Sequence, residues 1–88
     1  MKTYFLDGRA MTDRLQAHEH VARQLTFPDY YGKNLDALFD LLSTYDEAEV
    51  VLREPGAMLN ALGAYGCRLL ICFFDAAEEN YRLRFTVE

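Results

Sequence analysis

Three short runs of strand-forming residues stand at the beginning, the middle and the end of this chain, with helical segments filling both intervals. That spacing restricts the fold more than any other feature. Strands joined through helical crossovers run parallel, and such crossovers are right-handed. The order β-α-α-β-α-α-β predicts an α/β fold: a three-stranded parallel sheet with about four helices packed mainly on one face. At 88 residues, about half of them apolar, the chain can bury one core and reads as one domain over residues 1–88.

The first strand, Lys2 to Leu6, stops at the turn pair Asp7-Gly8. Thr12 can cap the helix that follows. Leu15, His18, Val21, Ala22 and Leu25 fall at helical spacing, which puts His18 at the edge of the core. Pro28 ends this helix near Gln24 to Thr26, because the residue before a proline avoids helical geometry. The segment FPDYYGKN is a loop. Asn34 then caps a second helix, LDALFDLLSTY, whose inner face is Leu35, Leu38, Leu42 and Tyr45. Asp36 and Asp40 lie on its other side, with Ser43 near them and Phe39 at the border. After the acidic turn DEAE, Val50 to Leu52 form the middle strand. Pro55-Gly56 ends it and opens a short helix over Ala57 to Leu62, and Gly63 and Gly66 bracket the next turn. The segment CRLLICFFDAAEEN reads as a helix with Leu69, Leu70, Phe73, Ala76 and Ala77 inside and Asp75 outside. The last segment alternates strictly. Tyr81, Leu83, Phe85 and Val87 face one way, and Arg82, Arg84, Thr86 and Glu88 the other.

A formal net charge of −5 repels nucleic acid and anionic membrane surfaces and attracts basic proteins. No apolar run approaches the ~20 residues of a membrane span. Asp7 and Arg9 sit where a signal peptide needs its apolar stretch, so the expectation is a cytoplasmic protein. Cys67 and Cys72, five apart on a helix, are too far apart to bridge and read as buried free thiols. His18 and His20 are two apart and face different ways, which does not suit a metal pair. Cys67 has no matching His–acid arrangement to make it a nucleophile. No metal or other cofactor is implied. Glu78 and Glu79 extend Asp75 into a charge run of the kind that solvates a helix face.

The second helix carries the feature that stability does not require. Asp36 and Asp40, four apart on one face, repel each other and cost the fold a few tenths of a kcal/mol. A local rule broken without structural gain points to function. Tyr30 and Tyr31 stand at the helix entrance and Phe39 stands beside the carboxylates, an arrangement typical of interface hot spots. Such a face suits an arginine-lined groove, where each close ion pair offers ~4 kcal/mol at an effective dielectric near 20, before desolvation is subtracted.

The stretch LTFPDYYGKNLDALFDLL, Leu25 to Leu42, resembles the barstar family of ribonuclease inhibitors, and the element order agrees over the whole chain. The resemblance implies a barstar-like fold that blocks a ribonuclease by pushing this helix into its active site. It implies that Asp40 stands in for an RNA phosphate and that Asp36 is a second acidic contact. Tyr30 becomes an aromatic contact at the entrance, and Gly32 a point of close backbone approach. Phe39 and Tyr45 stand where the family carries tryptophans, and Asp75 aligns with a further acidic contact that is normally Glu. Tyr31, Asn34 and Ser43 complete the expected partner-binding set. Lys33 departs from the family by placing a positive charge where a negative one is usual. The implied partner is a basic ribonuclease or RNase-type toxin, bound 1:1, with no part for nucleic acid or membrane.

Two other readings use the same residues. An adaptor with this fold would bind a different basic protein and leave RNA cleavage untouched. An enzyme would use Asp36 and Asp40 as paired carboxylates, but that chemistry needs a cleft and pKa values split by burial. A convex helix face supplies neither.

Overall fold

The computed structural model describes residues 1–88. Strands β1 (Lys2–Asp7), β2 (Ala48–Arg53) and β3 (Leu83–Val87) form one parallel sheet in the order β1-β2-β3. Helices α1 (Arg14–Leu25) and α2 (Leu35–Ser43) connect β1 to β2. Helices α3 (Pro55–Leu62) and α4 (Ala64–Glu79) connect β2 to β3, and a short 3-10 turn over Gly8–Ala10 precedes α1. The expected α/β architecture is therefore present. No helix is long and apolar enough to cross a membrane.

The register explains why one face of the sheet is covered. It aligns Tyr4 with Val50 and Phe85, and Leu6 with Leu52. These side chains join Leu38 and Leu42 of α2 and Leu69 and Phe73 of α4 in a cluster of 18 buried residues, against which Tyr4 packs partly buried. The opposite face carries the other set of the period-two alternation, Thr3, Phe5, Glu49, Val51, Arg84 and Thr86, of which Thr3, Phe5, Arg84 and Thr86 are exposed. Val51 is still buried at its centre, and the Arg53 guanidinium lies 4.1 Å from the Phe5 ring.

Several boundaries differ from those read from the sequence. Asp13, not Thr12, caps α1: its Oδ1 accepts the Gln16 N–H at 2.8 Å. Leu15 is half exposed, because α1 turns only its Ala17, His18, Val21 and Leu25 side inward. Thr26, at φ 55°, ends α1 in the left-handed region. Helix α2 stops at Ser43 rather than continuing through Tyr45. Only Gly63, at φ 59°, breaks the chain between α3 and α4. Gly66 is inside α4, packed so closely on α3 that an added Cβ would stand 3.3 Å from Leu59 and Leu62 side-chain atoms. Starting α4 at Ala64 turns Cys67 outward, so of the two free thiols only Cys72 is buried. Tyr81 lies in the turn before β3 and is exposed, as is Val87 at the strand's end.

Asn80 closes the joint between α4 and β3. Its Nδ2 donates to the carbonyls of Leu42 at 2.9 Å and Tyr45 at 3.0 Å, and its Oδ1 accepts the Arg82 N–H at 3.1 Å. One buried amide thus ties the C-terminal end of α2 to the start of the last strand.

Candidate partner-binding face

The face is built on the entrance to α2. Asn34 Oδ1 accepts the Ala37 N–H at 2.8 Å and caps the helix, while its Nδ2 donates to the Gly32 carbonyl at 3.2 Å. The side chain is fully used in holding loop to helix. Lys33 adopts φ 54°, and its ammonium pairs with Glu19 of α1 at 3.4 Å. Gly32 is exposed but tight. A Cβ there would stand 3.3 Å from both Ala37 Cβ and Asn34 Nδ2, so the smallest residue keeps the loop close to the helix.

The two adjacent tyrosines take opposite roles. Tyr30 is 82% exposed and lies on the surface, where Tyr30, Gly32, Ala37, Asp40 and Leu41 line a shallow notch of about 310 Å³ with one edge of Tyr31. Tyr31 is otherwise buried, edge-on to Phe27 at 4.9 Å. Its hydroxyl is hydrogen-bonded to His18 Nδ1 at 2.6 Å, and burial holds its proton well above the usual phenol range. His18 itself is 1% exposed, deep in the core rather than at its edge. Its other nitrogen, Nε2, is hydrogen-bonded to the Tyr65 hydroxyl at 2.7 Å.

Asp36 and Asp40 are exposed on successive turns of α2, and Asp75 is exposed on α4. The four ion pairs of the protein are Arg9–Asp7, Lys33–Glu19, Arg53–Glu88 and Arg82–Asp46, so none of these three carboxylates is engaged. Helices α2 and α4 pack side by side, and the buried Cys72 thiol of α4 points at the Leu35 carbonyl of α2 at 3.7 Å. Burial pushes that thiol up to about 11, and the charges of Asp75 and Asp36 add to the effect. Both carboxylates therefore sit near one seam between the helices.

Other expected site residues lie deeper. Phe39 is partly buried and packs against the core. Ser43 Oγ is buried without a hydrogen-bond partner, so it is not presented on the surface. Tyr45 packs on Tyr4 and Phe27, each at 6.1 Å, and donates its hydroxyl to the Leu25 carbonyl at 2.5 Å. Burial raises its pKa to about 12. The structure thus brings Tyr30, Gly32, Asp36, Asp40 and Asp75 outward, and holds Tyr31, Ser43 and Tyr45 from beneath. Sequence reasoning missed Ile71 and Phe74, both exposed on the α4 surface next to Asp75. Their spacing from Asp75 was visible, but a helix reading that assigns apolar residues inward had no place for them.

Exposed, unpaired carboxylates bordered by an aromatic ring on a small α/β scaffold are an arrangement typical of the class of protein-binding modules. Comparison with known proteins gives that class a family. The family model described as "Barstar (barnase inhibitor)" matches residues 1–88, and this chain belongs to the barstar family. A Bacillus subtilis (strain 168) protein named "Putative ribonuclease inhibitor YrdF" is 35% identical over 81 residues, covering 90% of this chain and 89% of that relative.

Proposed function

We propose that this protein inhibits a microbial ribonuclease, barnase-like or an RNase-type toxin, by seating the acidic face of α2 and α4 in its cationic active site. One observation carries the reading. Asp36 and Asp40 on α2 and Asp75 on the neighbouring α4 are exposed and free of internal ion pairs. Carboxylates presented this way, with Asp40 beside the exposed Tyr30 ring, suit an arginine-lined groove that otherwise receives an RNA backbone. Asp40 is the phosphate mimic, Asp36 and Asp75 are further acidic contacts, and Tyr30 is the aromatic contact at the entrance. Family membership and the name given to the Bacillus subtilis relative support the same role. The complex is 1:1, formed in the cytoplasm, and needs no cofactor or nucleic acid.

The test is a titration of RNA cleavage by barnase and a panel of secreted microbial ribonucleases and toxin nucleases. Activity of at least one should fall to zero at one equivalent. Tight binding to a basic protein with cleavage intact would replace the inhibitor reading with that of an adaptor.

A further inference from the structure

His18 is hydrogen-bonded to a phenol at each ring nitrogen, Tyr31 at 2.6 Å and Tyr65 at 2.7 Å. Three elements meet at this imidazole: α1 carries it, the loop before α2 supplies Tyr31, and α4 supplies Tyr65. At 1% exposure it has no water to exchange partners with. Burial also lowers its pKa and favours the neutral ring. A neutral imidazole has one N–H, so one phenol accepts from the ring and the other donates to it. The bond at Nε2 therefore fixes what is left for Tyr31 at Nδ1.

Tyr65 is itself held in place. The guanidinium of Arg14 lies 4.3 Å from its ring centroid, and that of Arg68 lies 5.4 Å away. At the other end of the chain of bonds, Tyr31 is the residue between Tyr30 and Gly32, and its N–H closes the loop onto the Pro28 carbonyl at 3.0 Å.

We propose that Tyr65 is a positioning residue for the partner-binding loop: acting through His18, it fixes the Tyr31 phenol and with it the placement of Tyr30 and Gly32. Tyr65 lies on α4, outside the Leu25–Leu42 stretch that forms the loop and α2. The consequence for binding rests on the inhibitor reading above, whereas the latch itself is a property of the free protein.

Tyr65→Phe tests this, because it keeps the ring under Arg14 and Arg68 and removes only the hydroxyl. In ¹⁵N-labelled protein the His18 Nε2 resonance should move. Amide exchange at Tyr31 should quicken by ~10-fold or more, through an opening smaller than global unfolding, while Val50 and Leu52 in β2 change less. Tyr31→Phe should free the loop in the same way, and the double variant should be no looser than Tyr31→Phe alone. Additive effects, or loop and β2 amides that quicken in step, would reduce Tyr65 to a packing residue and overturn the proposal. With barnase as the probe, Tyr65→Phe should inhibit ~10-fold more weakly. A loosened loop with unchanged inhibition would also overturn the positioning role. If the unaltered protein inhibits no ribonuclease, it is the inhibitor reading that fails, and exchange still decides the latch.

Discussion

Asp36 on α2 and Asp75 on α4 are far apart in sequence, yet both act on the same buried thiol, that of Cys72, and both oppose its ionisation. The seam between the two helices is therefore a region of concentrated negative charge on a protein already at −5. Like charges that form no internal ion pair are stabilised when a cationic surface meets them.

Asp40→Ala removes the proposed phosphate mimic. Inhibition should weaken by ~3–7 kcal/mol, the range that charged hot spots show, the barnase–barstar pair among them. The side chain is exposed and makes no internal hydrogen bond or ion pair, so stability should stay within ~0.5 kcal/mol, or below about 4 °C in Tm for a domain of this size. Calorimetry of the variant beside a ribonuclease titration checks both halves. Full inhibition by the variant, or its unfolding, would contradict the assignment.

Association should depend on salt. Between 50 and 500 mM NaCl (Debye lengths of roughly 14 and 4 Å) the association rate should fall by ~10-fold or more, while the dissociation rate changes far less. Stopped-flow mixing measures this, and an on-rate indifferent to salt excludes electrostatic steering.

Stability should decline as pH falls below about 6.5. His20 Nε2 accepts the Asp7 N–H at 3.0 Å, which only an unprotonated nitrogen can do, and burial lowers the pKa of both His20 and His18. The unfolded chain binds protons at these histidines from about pH 6.5 downward, while the native state does so only at lower pH. Between those values the unfolded state holds more protons, so stability is lost as pH drops, by up to ~1.4 kcal/mol per pH unit per group. Asp7, whose carboxyl the Arg9 side chain holds below its ordinary range, adds a further loss only in stronger acid. Urea midpoints that do not fall between pH 7.5 and 5.5 would refute the histidine linkage.

The two thiols should differ in reactivity. Cys67 is exposed, whereas Cys72 is buried with its thiol raised to about 11. Ellman's reagent should titrate one equivalent quickly. The second should appear only with denaturant, or slowly at the rate of local opening. Two equally fast thiols would mean that the α2–α4 seam is open in solution.

The element order, the helix count and the Asn34 cap were legible because each rests on local rules: period-two and period-3.6 patterns, and a side chain that reaches its own helix. The division of labour between Tyr30 and Tyr31 was not. Nothing near them in sequence says which one turns inward, since the deciding partner is His18 on another helix. Leu15 and Cys67 failed in the same way. Leu15 was placed inside by helical spacing and Cys67 by residue type, but the direction of each helix leaves them in water. The cap of α1 was ambiguous for a smaller reason: Thr12 and Asp13 are both good caps, and only the bond to Gln16 chooses between them. Asp36 and Asp40 stood out because they break a local rule, whereas placing Asp75 near them needed the packing of α2 on α4.

The bonds from Asn80 to the carbonyls of Leu42 and Tyr45 have a thermodynamic consequence. They fasten the trailing end of α2 to the body of the protein, as Asn34 fastens its leading end. In the proposed complex, a target would meet a helix already fixed at both ends. The entropy that a flexible ligand surrenders on capture, ~0.5–1.5 kcal/mol for each side chain immobilised, has largely been surrendered during folding. Affinity differences among related complexes lie mostly in the dissociation rate, so in the proposed complex this fastening would show as a long residence time.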